Sequence, residues 1–189
     1  MARTEIRITG FGGQGVILAA YILGKAAAVV EGRHATLNQS FGPEARGSAC
    51  SAQLIISDEP ITFPYVRGTD VLVAMSQDAY RMFEHEVKPD GLALIDDSLV
   101  TPNPEATYRV LGVPATLTAE KIGKRIMANM VMVGLFTAAS KAITLEAGRE
   151  AIRTSVPSGT EEVNLKAFDS GFDIGNELLA APRLIEVKA

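Results

Sequence analysis

The stretch Ile8–Gly24, "ITGFGGQGVILAAYILG", constrains this chain more than any other. A short apolar strand runs into a glycine turn, and the turn runs into a helix that is apolar almost all round. Glycines let the backbone turn tightly and approach a ligand closely. The helix that follows aims its unpaired amides and the positive end of its dipole into the same space. Such a unit belongs in a sheet covered by helices, where ligands bind at the C-terminal ends of strands.

The rest of the chain keeps this rhythm. Strands are predicted at Ile6–Thr9, across "HATLNQSF" from His34, across "SACSAQLIIS", and as a short edge piece in "ITFPYV". "DVLVAMS", "LALIDD" and "YRVLGVP" are continuous apolar runs, as expected of strands buried on both faces. Helices are predicted over 15–30, 77–86, from Ala119 behind a Thr118 cap, and over 122–152 in two pieces breaking near 142–145. A last helix follows Thr160, with Glu161 and Glu162 in its first turn. "KPDG" reads as a turn. Alternating strands and helices predict one three-layer, Rossmann-like α/β domain spanning 1–189, its sheet mostly parallel and its helices on both faces.

Composition narrows the function. The 189 residues carry a net charge of −4 with no basic stripe, against a nucleic-acid partner. Charges interrupt the N-terminal strand pattern, and the apolar runs fall short of a membrane span, so neither a signal peptide nor membrane insertion is expected. Cys50 is the one cysteine, too few for an internal disulfide, a structural zinc or an iron–sulfur cluster. A reducing cytoplasm fits that usage.

The literal spacing Gly10-x-Gly12-x-x-Gly15 is that of a dinucleotide fingerprint. Its usual companion is an acidic residue ending the second strand. Glu31, at the right separation, closes the helix instead, and Ala35–Phe41 has no Asp or Glu. A strand–helix turn that binds nothing small is the plainer alternative. The second loop, "NQSFGPEARGSA", is more distinctive: Asn38, Gln39 and Ser40 end a strand, and Glu44 and Arg46 sit between Gly42 and Gly47. If the two loops share one sheet end, Gly12, Gly13, Gln14, Gly15, Ser40, Glu44, Arg46 and Gly47 form a polar rim suited to an anion or to a partner's surface. A solvated turn with a weak Glu–Arg pair is the bland reading.

Together "GFGGQG" and "SFGPEARG", with the following "IISDEPI", resemble the gamma subunits of 2-oxoacid:ferredoxin oxidoreductases. Asn129 in "ANMVMVGL" stands where that family usually has an asparagine in an apolar helix. The resemblance implies oxidative decarboxylation of a 2-oxoacid to an acyl-CoA, with electrons passed to ferredoxin. It implies partner subunits (alpha, beta and a ferredoxin-like delta) that hold thiamine diphosphate, Mg and the iron–sulfur clusters, with CoA as co-substrate. No cofactor is then expected on this chain alone, and no turnover from it. The "GPEARG" form resembles the 2-oxoglutarate and branched-chain members more than the pyruvate ones. Phe41 and Ser48 depart from the family's common tyrosine and glycine, which loosens any assignment of individual contacts. Two rivals remain: a free-standing NAD(P)-dependent oxidoreductase, and an anion-binding module outside any complex. Self-association of the isolated chain, replacing absent partners, is also left open.

Other residues carry plainer readings. Cys50 lies in an apolar strand and reads as packing, because a nucleophile needs a positioned base. Asp96 and Asp97 end a strand, but adjacent strand residues point to opposite faces, against joint chelation. A buried Asn129 must find partners, and fixing a backbone loop is favoured over reaching the rim.

Overall fold

The first strand, β1 (Arg3–Phe11), is buried along its middle on both faces, and the sheet is built outward from it. A computed structural model describes residues 3–41 and 49–180. On one side β1 pairs antiparallel with β3 (Ala49–Ser57), which pairs antiparallel with β2 (His34–Phe41). On the other it pairs parallel with β4 (Thr69–Ala74), followed by β5 (Val87–Asp96) and β6 (Arg109–Val113), also parallel. The order is β2-β3-β1-β4-β5-β6. Only β3 runs against the rest, so the sheet is mostly parallel, as expected.

Alternation along β1 divides its side chains. Ile6 and Ile8 join Leu54, Ile56, Val71 and Val73 in the main core. That face is covered by α1 (Val16–Lys25), α3 (Ala115–Ile122), α4 (Ala128–Ser140), α5 (Leu145–Arg153) and α6 (Glu161–Ala180). Across the sheet, a smaller core of Leu72, Ala74, Tyr80, Ala93 and Ile95 lies under α2 (Gln77–Phe83). The three layers are therefore lopsided. Over β1 and β3 the second face is polar: Glu5, Arg7, Thr9 and Ser51 are buried there. Arg7 pairs with Glu86 at 2.6 Å and lies 4.3 Å from the centre of the Phe83 ring, which satisfies an otherwise costly buried charge.

Several expected elements shift. α1 continues as a π-helix over Ala26–Val30, closed by Glu31 N donating to Ala26 O, and Gly32 takes φ 68° as the expected stop. "ITFPYV" is no strand: Asn38 Nδ2 donates to Pro64 O, and Val66 N donates to Gln53 Oε1, so side chains and not a ladder hold this loop. "KPDG" lies inside β5. Thr118 caps nothing; α3 begins at Ala115, and Thr118 N donates to Pro114 O within its first turn. Thr160 precedes α6, but its hydroxyl donates to Pro157 O.

α4 and α6 cross with their backbones nearly touching. A Cβ on Gly171 would fall on the Val131 carbonyl oxygen, and one on Gly134 on that of Phe168 and 2.7 Å from Phe172 N. Gly134→Ala is therefore expected to lower the unfolding free energy by about 2 kcal/mol or more, read as a shifted urea midpoint. An unmoved midpoint would contradict this crossing.

Glu5 gives a pH dependence. Burial alone raises its carboxyl pKa, but N–H donation from Arg67, the Arg3 guanidinium and Gly68 N–H outweigh it and hold the group below its ordinary value of 4.5. A depressed carboxylate contributes stability above its unfolded pKa and loses it as pH falls through the folded one. Glu5→Gln should flatten the fall in stability between about pH 5 and about pH 3. Chemical denaturation at a series of pH values measures this; parallel curves for the two proteins would refute it.

Candidate functional site

β1 leads to a helix on one face of the sheet, and its parallel neighbour β4 leads to α2 on the other. The crevice between two such departures is where open α/β sheets bind ligands. Here it is bounded by Gly12–Gly15 after β1 and by Met75 and Ser76 after β4.

Gly15 makes the turn. Its φ of 75° and ψ of 24° are left-handed, and no side chain caps α1. The first helical bond runs from Ala19 N to Gly15 O at 2.9 Å, so the amides of Val16, Ile17 and Leu18 have no partner within the helix. Gly13 is exposed at φ 99°.

Gln14 spans the crevice. Its Oε1 accepts from Phe11 N at 2.6 Å, and its Nε2 donates to Met75 O at 2.8 Å. The side chain therefore ties the end of β1 to the end of β4, over Gly10, where a Cβ would stand 2.6 Å from Oε1. Asn129 holds the turn from behind. Its Nδ2 donates to Gly15 O at 3.3 Å, and its Oδ1 accepts from Met130 N at 2.9 Å. A Cβ on Gly15 would collide with that amide. Of the two sequence readings of Asn129, fixing a backbone loop is the one the geometry supports.

Three helix starts approach this place, but not equally. α3 is already satisfied: Asp96, 1% exposed, accepts from Thr116 N and Oγ1. Asp96 is thus a cap for a helix 20 residues on, and Asp97 is exposed. No cluster of three His, Cys, Asp or Glu suited to a metal occurs among the described residues. α1 and α4 lack a side-chain cap. Between them lies a cleft of about 240 Å³ lined by Gly13, Gln14, Met75, Thr116, Arg125, Ile126 and Ala128. Arg125 and Ile126 are exposed, and the nearest carboxylate recorded for Arg125 is Glu120, at 4.0 Å. Ser76 is 3% exposed, and its hydroxyl has no hydrogen-bond partner among the described residues.

Sequence reasoning missed Arg125 and Ile126 because it ran a helix through them. They precede α4 as a single 3₁₀ turn, Arg125–Met127. The signal available was Gly123 just before a basic pair.

The second predicted loop is only partly placed. Ser40 is exposed at the end of β2. Glu44, Arg46 and Gly47 lie outside the described residues. The two residues that flank that loop are informative: Phe11 pairs with Ala49, and Phe41 with Cys50. The ends of β1 and β2 therefore share one edge of the sheet, but β3 stands between them, about 10 Å of separation at ordinary strand spacing.

That insertion removes the dinucleotide reading. A ribose-holding acid belongs at the end of the parallel strand beside β1. Here that neighbour is β3, which is antiparallel and starts there. Cys50 sits at that start, opposite Gly10 and 6% exposed; burial pushes its thiol pKa up, the behaviour of a packing residue.

Comparison with known proteins completes the description. The profile of the family "Pyruvate ferredoxin/flavodoxin oxidoreductase" matches residues 5–174. Three chains of Methanothermobacter marburgensis rank the resemblance. 2-Oxoglutarate synthase subunit KorC is 47% identical, covering 91% of this chain and 96% of its own. Ketoisovalerate oxidoreductase subunit VorA is 36% identical, over 89% of this chain but 36% of its own. Pyruvate synthase subunit PorC is 30% identical, over 86% and 92%. The solved gamma subunit of a keto/oxoacid ferredoxin oxidoreductase from Geobacter sulfurreducens superposes with a TM-score of 0.83 at 37% identity, covering 94% of this chain and 99% of that one. A 2-oxoglutarate:ferredoxin oxidoreductase from Magnetococcus marinus, solved with 2-oxoglutarate, coenzyme A and succinyl-CoA, shares the fold at TM-score 0.86 and 22% identity, over 94% of this chain and 32% of that one. The glycine turn, the loop after β2 and the fold around them thus point one way, and the chain belongs to the pyruvate ferredoxin/flavodoxin oxidoreductase family as a gamma subunit of the 2-oxoacid:ferredoxin oxidoreductases.

Proposed function

We propose that this gamma subunit serves an oxidoreductase acting on 2-oxoglutarate, and that its switch-point crevice receives an anionic part of CoA. The substrate rests on the similarity ranking, 47% to a 2-oxoglutarate synthase subunit against 36% and 30% to the other two. The crevice rests on one observation: Gly13 and Gln14, leading into α1, line it, and among the described residues no side chain caps the first amides of that helix. α3, beside it, carries Asp96 in the equivalent place. An anion is stabilised at the first of these ends and repelled at the second. Arg125 adds a positive charge at the rim, and Ile126 an apolar wall.

Gln14 has a different role from the one its position in the motif invites. Both ends of its amide are engaged by backbone groups, so it shapes the loop. The ligand-facing donors are then backbone amides, which explains why the motif is made of glycines rather than of charged side chains. Glu44, Arg46, Gly47 and Ser40 complete the rim on this reading, either toward CoA or toward a partner subunit. The iron–sulfur clusters reside on other subunits, since this chain has a single buried cysteine, and on the family reading thiamine diphosphate and Mg reside on alpha and beta subunits. No helix among the described residues is long and apolar enough to cross a membrane, in keeping with a cytoplasmic complex.

Steady-state kinetics of the reconstituted holoenzyme test this. Arg125→Ala and Arg46→Ala are each expected to raise the KM for CoA about tenfold, equivalent to about 1.4 kcal/mol, with the KM for 2-oxoglutarate unmoved. If neither variant moves the KM for CoA, the crevice does not hold it. Titration of the isolated chain with NADH separates the rival: saturable micromolar binding would favour a nicotinamide enzyme.

Gln14→Ala should act otherwise. It frees Phe11 N and Met75 O and loosens the turn, so kcat and the KM for CoA change together, with a loss of about 1–3 kcal/mol in stability read by thermal denaturation. Unchanged stability would show that Gln14 is not a clamp.

A further inference from the structure

The two edges of the sheet are unlike. β6 is five residues long and carries the exposed Arg109, a short and charged edge that resists pairing. β2 is eight residues long, "HATLNQSF", with no Asp, Glu, Lys, Arg or Pro. Among the described residues nothing pairs with its outer side. An open strand of this kind is a template for another strand, because its outward N–H and C=O groups lack partners.

Apolar side chains flank that edge on both faces. On the α1 side, Tyr21 and Val29 form a groove of about 210 Å³ with Ala35, Leu37 and Leu54. Tyr21 is 49% exposed and Val29, in the π-helix, 71%; Val30 beside it is 41% exposed. On the other face the 58–68 loop brings up Phe63 and Tyr65, 40% and 54% exposed and stacked edge-to-face at 5.6 Å. That loop is held in place by Asn38, Gln53 and Glu5, and Arg67 lies over the Phe63 ring at 4.5 Å. Five of the exposed large apolar side chains thus gather at one side of the molecule.

We propose that β2 is a two-fold interface between two copies of this chain, pairing antiparallel with its counterpart to join the two sheets. Charge permits a second copy as the occupant, and size favours one. The chain carries a net charge of −4, so two copies repel except where they meet through neutral surface. β2 is that surface. The charges bordering it are already engaged: Lys25 with Thr154 O and Ser155, Glu31 with Thr144, Arg33 with Asp58. Antiparallel self-pairing of β2 opposes no like charges. A two-fold axis normal to the sheet also keeps both α1 helices on one face, so Tyr21 and Val29 of one copy meet those of the other. Size agrees: three aromatic side chains of roughly 150–250 Å² each and two smaller valines, exposed by about half, together with the strand rim approach the ~800 Å² that each partner gives to a stable interface. The contact is isologous and closes at two copies, so it does not propagate into fibres.

Sedimentation equilibrium of the full chain tests the proposal. The expected mass is twice 20.1 kDa at micromolar concentration, changing little between about 0.05 and about 0.5 M salt, since no ion pair is involved. Val29→Lys, which sets two ammonium groups at the seam, is expected to weaken the dimer at least tenfold. Met82→Lys, at an exposed apolar position on α2, should leave it unchanged. Hydrogen exchange guards against a misfolded variant: in the wild type, amides of 34–41 should be protected at high concentration and lose protection on dilution. A wild-type monomer throughout, a dimer that survives Val29→Lys, or protection of 34–41 independent of concentration would each overturn the proposal.

Discussion

The molecule depends on one close approach: the backbone of Gly15 against the side chain of Asn129. Gly15 lies at the end of β1 and the start of α1, and Asn129 lies in the first turn of α4, 114 residues later. No side chain fits between them. The contact therefore fixes the angle at which α1 leaves the sheet and the depth to which α4 approaches it. Both helices then bring their amino ends toward one crevice. Gln14 closes the other side by bridging β1 to β4. A loop of glycines is conformationally costly to order. Here it is ordered by two amide side chains that use their polar atoms on backbone groups, which leaves the loop's own amides for something else.

The same logic separates helix ends that bind from helix ends that are finished. α3 and the turn into α1 border one cleft, yet Asp96 closes the first, and among the described residues no side chain closes the second. Read alone, the Asp96-Asp97 pair looks like chemistry. In place, Asp96 is a cap whose partners are Thr116 and Ser98. The polar second face follows a related rule. Glu5, Arg7 and Thr9 are buried under a short helix and a loop, and Glu86, Ser51 and the backbone of 67–68 satisfy the charged pair.

Much of this was legible because its causes are local. The strand–glycine–helix unit, the bounds of β2 and the stop at Gly32 follow from periodicity and from where glycine tolerates a left-handed backbone. The break between α4 and α5 was equally visible. What failed was set at long range. Nothing near β3 announces that it inserts between β1 and β2, since strand order is a property of the whole sheet. The start of α3 was misplaced because its cap comes from β5 and not from the neighbouring Thr118. "ITFPYV" has strand-like composition but finds only side-chain partners. Arg125 and Ile126 were hidden inside a predicted helix that starts only at Ala128, after a 3₁₀ turn over Arg125–Met127. Within the motif the glycines form the strand-to-helix turn that was read there, while the polar Gln14, the residue that most resembles a ligand contact, turns inward.

The two outward-facing regions have opposite designs, and the difference follows from what each must recognise. The crevice offers backbone groups of the glycine turn and a guanidinium, near the end of a helix dipole. Such a surface favours negative charge and discriminates little by shape. The β2 edge offers a neutral ladder flanked by aromatic and branched side chains, where geometry decides and charge is nearly silent. β3 stands between the ends of β1 and β2, so the outer side of β2 lies beyond it from the Gly12–Gly15 turn, about 10 Å from β1 to β2 at ordinary strand spacing. β3 is the strand that breaks the parallel order, and it is also the spacer that makes this separation possible.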